Sequence, residues 1–361
     1  MGAGQLFILN FYSNPPMKGE ERNKLLAFAA RLYYQEGFSQ SEVARVLSVS
    51  QAKVSRLLKE ARAKGIVRIY VEDFHPYETE LQEELQKTFR LEKAVVVRVP
   101  APSTAEAARR SMGFLSAPRV MELLQEVRTL GITSGRSLLE TIRFLPAQGW
   151  RPELQVVQLM GNVGAVALES DALELGRMIA RKAGGTFFSL NTPAFLPDGE
   201  ARNALFRHEQ VKAVRALFKT LDAALVGVGT LEDSLFIAQE AMRPSQIEEL
   251  LAKGAVGEIC GRFYGPDGKE CPTPFRDQVI SIRLEELARI PLVIGITSGA
   301  DRAPAVAAAL RGGLLKALVI DQEGARALLE KERGRKERSG TRKGRKKTRR
   351  KKKTSGKAGD P

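Results

Sequence analysis

Cysteine and histidine are almost missing from this sequence, with two of each in 361 residues. Cys260 and Cys271 are too few for a disulfide framework. With His75 and His208 far from them in sequence, they do not compose a zinc ligand set either, so neither a metal site nor a cofactor is expected. Also missing is any run of about 18 apolar residues, which excludes a spanning helix on length alone. The short apolar stretch from Leu6 to Phe11 has no basic residue ahead of it and no small-residue cleavage signal behind it. It does not read as an export signal, and the expected compartment is the cytoplasm. An apolar fraction of 43% and this length point to a soluble chain of two domains.

Acidic residues are scarce only locally. The formal net charge is +15, but residues 331 to 361 hold 16 Lys and Arg against 3 Asp and Glu. Residues 22 to 69 hold 10 against 3, and residues 70 to 330 hold 30 against 34. The tail therefore sets the isoelectric point, and beneath it lies a small basic N-terminal module on a slightly acidic body.

Residues 1–21 lack a persistent period and contain Asn14-Pro15-Pro16, so they read as a disordered leader, with Met17 as an alternative start. Residues 22–72 form the next segment. Leu25, Leu26, Phe28, Ala29, Leu32 and Tyr33 recur at helical spacing up to Gly37. Ser39 with Glu42 three residues on is a capping box for a short second helix. Ser50 caps a third, which buries Val54, Leu57, Leu58 and Ala61 and stops at Gly65. An apolar, β-prone stretch, 66–71, follows.

Residues 73–92 read as a helical connector, with Leu81, Leu85 and Phe89 on one face. From 93 to 330, short apolar strands alternate with helices: 94–99, 129–133, 154–160, 186–190, 223–228, 279–282, 292–297 and 317–320. That alternation predicts a mostly parallel sheet covered on both faces. Residues 331–361, without an apolar run, read as a disordered basic tail. It serves either as a sequence-blind polycation on DNA or as an inert extension.

Two short capped helices separated by a turn at Ser48 and Val49 have the size and pattern of a helix-turn-helix, whose second helix enters the major groove by its N-terminal end. The side chains left over from the apolar stripe are Gln51, Ala52, Lys53, Ser55, Arg56, Lys59 and Arg62. Gln51 suits adenine, Arg56 guanine, and Ala52 a thymine methyl, while Lys53, Lys59 and Arg62 suit phosphates. The competing reading is a packed helical hairpin with a solvated basic face.

The run RLYYQEGFSQSEVARVLSVSQAKVSRLLKEARAKGIVRI (31–69) resembles the DNA-binding domain of the SorC family of sugar-responsive bacterial transcriptional regulators. The resemblance continues in order through LGITSGRSL (130–138), VVQLMGNVG (156–164), ALVGVGTLEDS (224–234), KGAVGEICGRFYGPDG (253–268), PLVIGITSGADRAPAVAAALRGG (291–313) and LVIDQEGARALL (318–329). It implies an N-terminal all-α helix-turn-helix domain and a C-terminal α/β domain of the sugar-phosphate isomerase, deaminase and CoA-transferase type. It also implies double-stranded operator DNA and a phosphorylated sugar as ligands, a homodimer or homotetramer, and allosteric control of operator binding.

Within the α/β part, Ser134-Gly135 reads as a turn from strand to helix. Backbone N–H groups, the Ser137 hydroxyl and the Arg136 guanidinium would form an oxyanion cradle there. A glycine at such a turn serves structure as readily as binding, but in the family the matching motif lines the effector pocket. Ser134 stands in place of a bulkier family residue and Ser137 in place of Thr. Further pocket edges are Gly161-Asn162, Gly227-Val228-Gly229-Thr230 and Gly299 to Arg302, all after strands. Glu258 and Asp267 are the acidic candidates for sugar hydroxyls. Family members commonly carry Lys at the position of Arg302, so the charge is kept and a Schiff base there is excluded. Each of these residues is also consistent with a turn or a satisfied surface charge.

The rival class is a sugar-phosphate isomerase or deaminase with an appended DNA-binding head. Such chemistry needs a placed general base, and the sequence pairs no histidine with a carboxylate at a strand end. Glu258 and Asp267 keep that alternative open, with no catalytic residue assigned.

Overall fold

Helix caps organise the first of two units. The structure is a computed structural model that describes residues 19–69, 75–100, 104–147 and 149–337, and the chain divides at His75 and Pro76. In the first unit, α1 spans Gly19–Tyr34, α2 Gln40–Val46 and α3 Gln51–Ala63. Ser39 Oγ accepts from Glu42 N at 3.3 Å while Glu42 Oε2 accepts from Ser39 N at 2.7 Å, and Ser50 Oγ accepts from Lys53 N at 3.2 Å. Each bond satisfies an N–H that the helix leaves without a partner. Leu26, Ala29, Val43, Val54, Leu57 and Ala61 form a closed apolar core. α1 begins three residues before the expected Arg22, with Glu20 and Glu21 in its first turn, where a helix dipole favours acid. Residues 66–69 form no strand, and 70–71 lie outside the described residues.

The second unit is built on strands β1 (Lys93–Val97), β2 (Thr129–Ile132), β3 (Gln155–Gln158), β4 (Thr186–Phe188), β5 (Ala223–Gly227), β6 (Gly257–Ile259), β7 (Arg262–Tyr264), β8 (Leu292–Ile296) and β9 (Ala317–Asp321). Seven of them make one parallel sheet in the order β1-β9-β8-β5-β2-β3-β4. Alternate residues feed two cores, one on each face. Val96, Ala224 and Val226 point into one, and Val95, Val97, Ala223 and Leu225 into the other. Two-sided burial is why these strands are apolar without alternation.

Three features depart from the sequence reading. Residues 279–282 are not a strand of the sheet. They lie against the chain after β3 through Gly161 N to Ile280 O (2.9 Å) and Ile282 N to Leu159 O (2.8 Å), with only isolated bridges. β6 and β7 form a separate antiparallel hairpin, turned at Cys260 and Gly261, both with positive φ (57° and 71°). A two-residue hairpin turn of this hand asks for Gly, Asn or Asp, so a cysteine there gave no turn signal. Finally, helix continues from 322 to 337, across the expected start of the tail at 331. Glu332 is buried and accepts from Arg311 Nη1 at 3.0 Å, which ties this last stretch to the body. Residues 338–361 lie outside the described residues.

Candidate functional site

On the first unit, Gln51, Ala52, Lys53, Ser55, Arg56, Lys59 and Arg62 are all exposed, while Val54, Leu57, Leu58 and Ala61 fill the buried stripe of α3. Glu60 is the one acidic residue of α3. It pairs with Arg22 (2.5 Å) and Lys64 (3.1 Å), and the Arg22 hydrogen bond, then that of Lys64, holds its carboxyl down at about 2. Among the described residues no ion pair engages Lys53, Arg56, Lys59 or Arg62. The helix therefore offers uncompensated positive charge next to groups able to hydrogen-bond base edges.

On the second unit, the strand order reverses direction between β2 and β5, since β3 and β4 extend one way from β2 while β8 and β9 extend the other way from β5. A ligand crevice of an open parallel sheet opens at the carboxyl ends of the strands flanking such a reversal. The two strand ends approach closely here. Gly227 N donates to Thr133 Oγ1 at 3.1 Å, and a Cβ on Gly227 would lie 2.8 Å from Ser134 O.

The cleft at this point has two adjoining halves. One is lined by Ser134, Gly135, Arg136, Ser137, Gly229 and Glu258, among others. The second, about 580 Å³, includes Thr104, Gly299, Asp321 and Gln322. That volume falls in the range of small-molecule sites. Arg109, Arg136, Asp233 and Arg302 line both.

Gly135 donates its own N–H to Ser170 O (2.9 Å). The N–H groups at this turn left without a carbonyl four residues back are therefore those of the first turn of the helix Arg136–Phe144. Arg136 Nη2 donates to Asp233 Oδ1 at 2.9 Å, and Arg302 Nη2 donates to Asp233 Oδ2. Burial pushes the Asp233 carboxyl up, but Arg302, Arg136 and Arg109 together hold it below its ordinary value. Arg302 is only 12% exposed, and its Nη1 is buried without a hydrogen-bond acceptor, with the Asp301 carboxylate 3.6 Å away. Burial, and then the charges of Arg136 and Arg302, lower the pKa of the Arg109 guanidinium, which nonetheless stays charged.

Glu258 reaches the cleft because β6 bridges back to the strand end at Gly229, with N–H to carbonyl bonds of 3.0 Å in both directions. Burial pushes its carboxyl up, opposed by hydrogen bonds from the Ser234 hydroxyl and from Gly261 N (2.9 Å). Asp321, buried at the end of β9, accepts from Gly299 N (2.6 Å) and Gly324 N (2.8 Å), and so holds the loop that carries Arg302.

Four candidates lie off this cleft. A Cβ on Gly161 would lie 2.5 Å from Pro193 O, and Asn162 Oδ1 accepts from Gln158 Nε2 (3.0 Å), so both serve packing between loops. Thr230 follows Gly229 without lining either half. Asp267 belongs to a turn whose Gly268 packs on Ala308 and Gly312, at the opposite end of the helix Ala303–Arg311 from Arg302. Conversely, Arg109, Ser170, Asp233, Asp321 and Gln322 line the cleft and were not singled out from the sequence. Arg109 lies within a helix and carries no local signal. Asp233 follows Gly229 closely enough that an acidic residue after a glycine strand end could have flagged it. Cys260 and Cys271 are buried free thiols, and among the described residues no group of acidic, His or Cys side chains is placed to hold a metal ion. No helix among them is long and apolar enough to cross a membrane.

Comparison with known proteins matches residues 76–330 to the family described as "Putative sugar-binding domain". The deoxyribonucleoside regulator of Bacillus subtilis (strain 168) is 28% identical over 315 residues, covering 86% of this chain and 98% of that protein. The transcriptional regulator LsrR of Escherichia coli (strain K12) is 30% identical over 308 residues, covering 84% and 94%. The crystal structure of the full-length sorbitol operon regulator SorC from Klebsiella pneumoniae superposes with a TM-score of 0.68 at 27% identity, covering 85% of this chain and 98% of that one. These relatives are regulators rather than enzymes by name.

Proposed function

The chain belongs to the SorC family of sugar-binding transcriptional regulators, and from that premise we propose that α3 reads operator DNA while the cleft between β2 and β5 binds a phosphorylated sugar that controls it. The observation that carries the ligand half is convergence. A helix N-terminus, three guanidiniums and two carboxyls, from five separate segments, meet in one cleft. The N–H groups of the first turn after Gly135, with Arg136 and Arg302, suit a phosphate. Glu258, whose carboxyl burial pushes up against the hydrogen bonds from Ser234 and Gly261, can accept from a sugar hydroxyl. Arg302 offers charge without a nucleophilic amine, so the ligand is held non-covalently. In a homodimer or homotetramer, a ligand that favours one arrangement would alter how two heads meet a pseudo-palindromic site.

The test is Arg136→Ala in the full chain, titrated by calorimetry with a phosphosugar and with its unphosphorylated parent. Loss of one charge-assisted contact, ~1.5–3 kcal/mol, should weaken the phosphosugar by roughly tenfold to over a hundredfold, barely touch the parent, and leave ligand-free operator affinity unchanged. Equal losses for both ligands would make Arg136 a support of the fold. No loss would move the phosphate elsewhere, with Arg302 the next candidate.

A further inference from the structure

Asp233 stands where a ligand's anion would stand. It comes from the loop after β5 and bridges Arg136, after β2, to Arg302, after β8. All three side chains line both halves of the cleft. The bridge leaves positive charge over. Arg302 Nη1 is buried with no hydrogen-bond acceptor and has only the exposed Asp301 carboxylate 3.6 Å away, and among the described residues Arg109 has no ion pair although it lines the same cleft. Burying the Arg302 Nη1 donor without an acceptor is costly, so the arrangement is one acceptor group short of saturation.

Resting on the reading of this cleft as the effector site, we propose that Asp233 is a built-in competitor for the effector's anionic group, and that it sets the site's selectivity for a phosphate dianion over a carboxylate. The selectivity follows from counting acceptors and charge. A ligand carboxylate could only replace Asp233 one for one, regaining the two guanidinium contacts it displaces while leaving Asp233, its side chain 35% exposed, without its two arginines. A phosphate brings about −1.5 to −2 charges and three acceptor oxygens, enough for Arg136, both ends of the Arg302 guanidinium, and Arg109. Asp233 thus rejects singly charged anions and yields to doubly charged ones.

The opposite role is that Asp233 merely orients the two arginines for a ligand that binds beside it. The two roles differ in sign. In the full chain, inorganic phosphate and acetate are titrated by calorimetry at constant ionic strength into wild type, Asp233→Asn and Asp233→Ala, with each variant's thermal transition recorded. Competition predicts that both variants bind phosphate more tightly, by roughly tenfold or more, since the two arginine contacts of Asp233 no longer have to be broken. Acetate should fail to saturate wild type and become a measurable ligand of the variants. Weaker or unchanged phosphate binding in folded variants would overturn the inference and make Asp233 an orienting residue, while leaving the cleft's assignment intact. Absence of phosphate binding in every form would remove the cleft's assignment and the inference with it. Wild type gives a check that needs no variant, because acetate saturating it as readily as phosphate would also overturn the proposal.

Discussion

At the scale of single residues, the sharpest expectation concerns Glu60, which joins α3 to α1 through Arg22. Its carboxyl titrates at about 2 in the folded chain against an ordinary 4.5, first because of the Arg22 hydrogen bond and then that of Lys64. A depressed carboxyl contributes stability that is full above the ordinary value and lost as pH falls toward the folded one. Protection factors of the α1 to α3 amides in the full chain, corrected for the intrinsic slowing of exchange in acid, should therefore fall between pH 4.5 and about 2. Glu60→Gln should raise exchange at neutral pH and flatten that dependence, and an equal pH dependence in the variant would show that other carboxylates govern it. Residue roles in the cleft were only partly legible in the sequence. Ser134 to Ser137 and Arg302 follow apolar strands and so declared themselves as strand-end residues. Arg109, on a helix with Arg110 beside it, carries no pattern that separates it from a solvated surface charge.

At the scale of elements, α3 carries the function of the first unit by its two faces. Val54, Leu57, Leu58 and Ala61 anchor it, so the exposed face is presented rigidly. Arg56→Ala should cost about 1–3 kcal/mol on operator DNA if Arg56 makes a bidentate guanine contact, with little change on random duplex. Equal loss on both would reduce Arg56 to a phosphate contact, and gel-shift or anisotropy titrations separate the two. The elements of the first unit were legible because serine caps and glycine stops are local signals. The hairpin β6–β7 was not, since three-residue strands around Cys260-Gly261 show neither a resolvable period nor a usual turn pair. Residues 279–282 misled for the converse reason. Val279, Ile280 and Ile282 are fully buried, and burial on two sides looks the same in sequence whether or not a ladder forms.

At the scale of the whole molecule, the charge distribution makes a further prediction. Residues 338–361 hold 12 Lys and Arg, and deleting them should weaken binding to random DNA and flatten its salt dependence while preserving operator preference, because counterion release carries no sequence information. An unchanged slope of log affinity against log salt would make the segment an inert extension. The deletion should start at 338. Cutting at 331 would remove Glu332 and leave Arg311, only 20% exposed, without this partner.

By itself the sequence determined the two-unit organisation, the helix-turn-helix and the parallel α/β class, because caps, glycine stops and apolar periods act over a few residues. Strand order, the hairpin that carries Glu258 to Gly229, and the continuation of the last helix through 337 were decided in three dimensions. The same is true of the bridge at Asp233, whose two arginines lie 97 and 69 residues away along the chain. They meet only because β2, β5 and β8 are neighbours in the sheet, and that adjacency is fixed by how the helices pack on its two faces rather than by any residue pattern along a single strand.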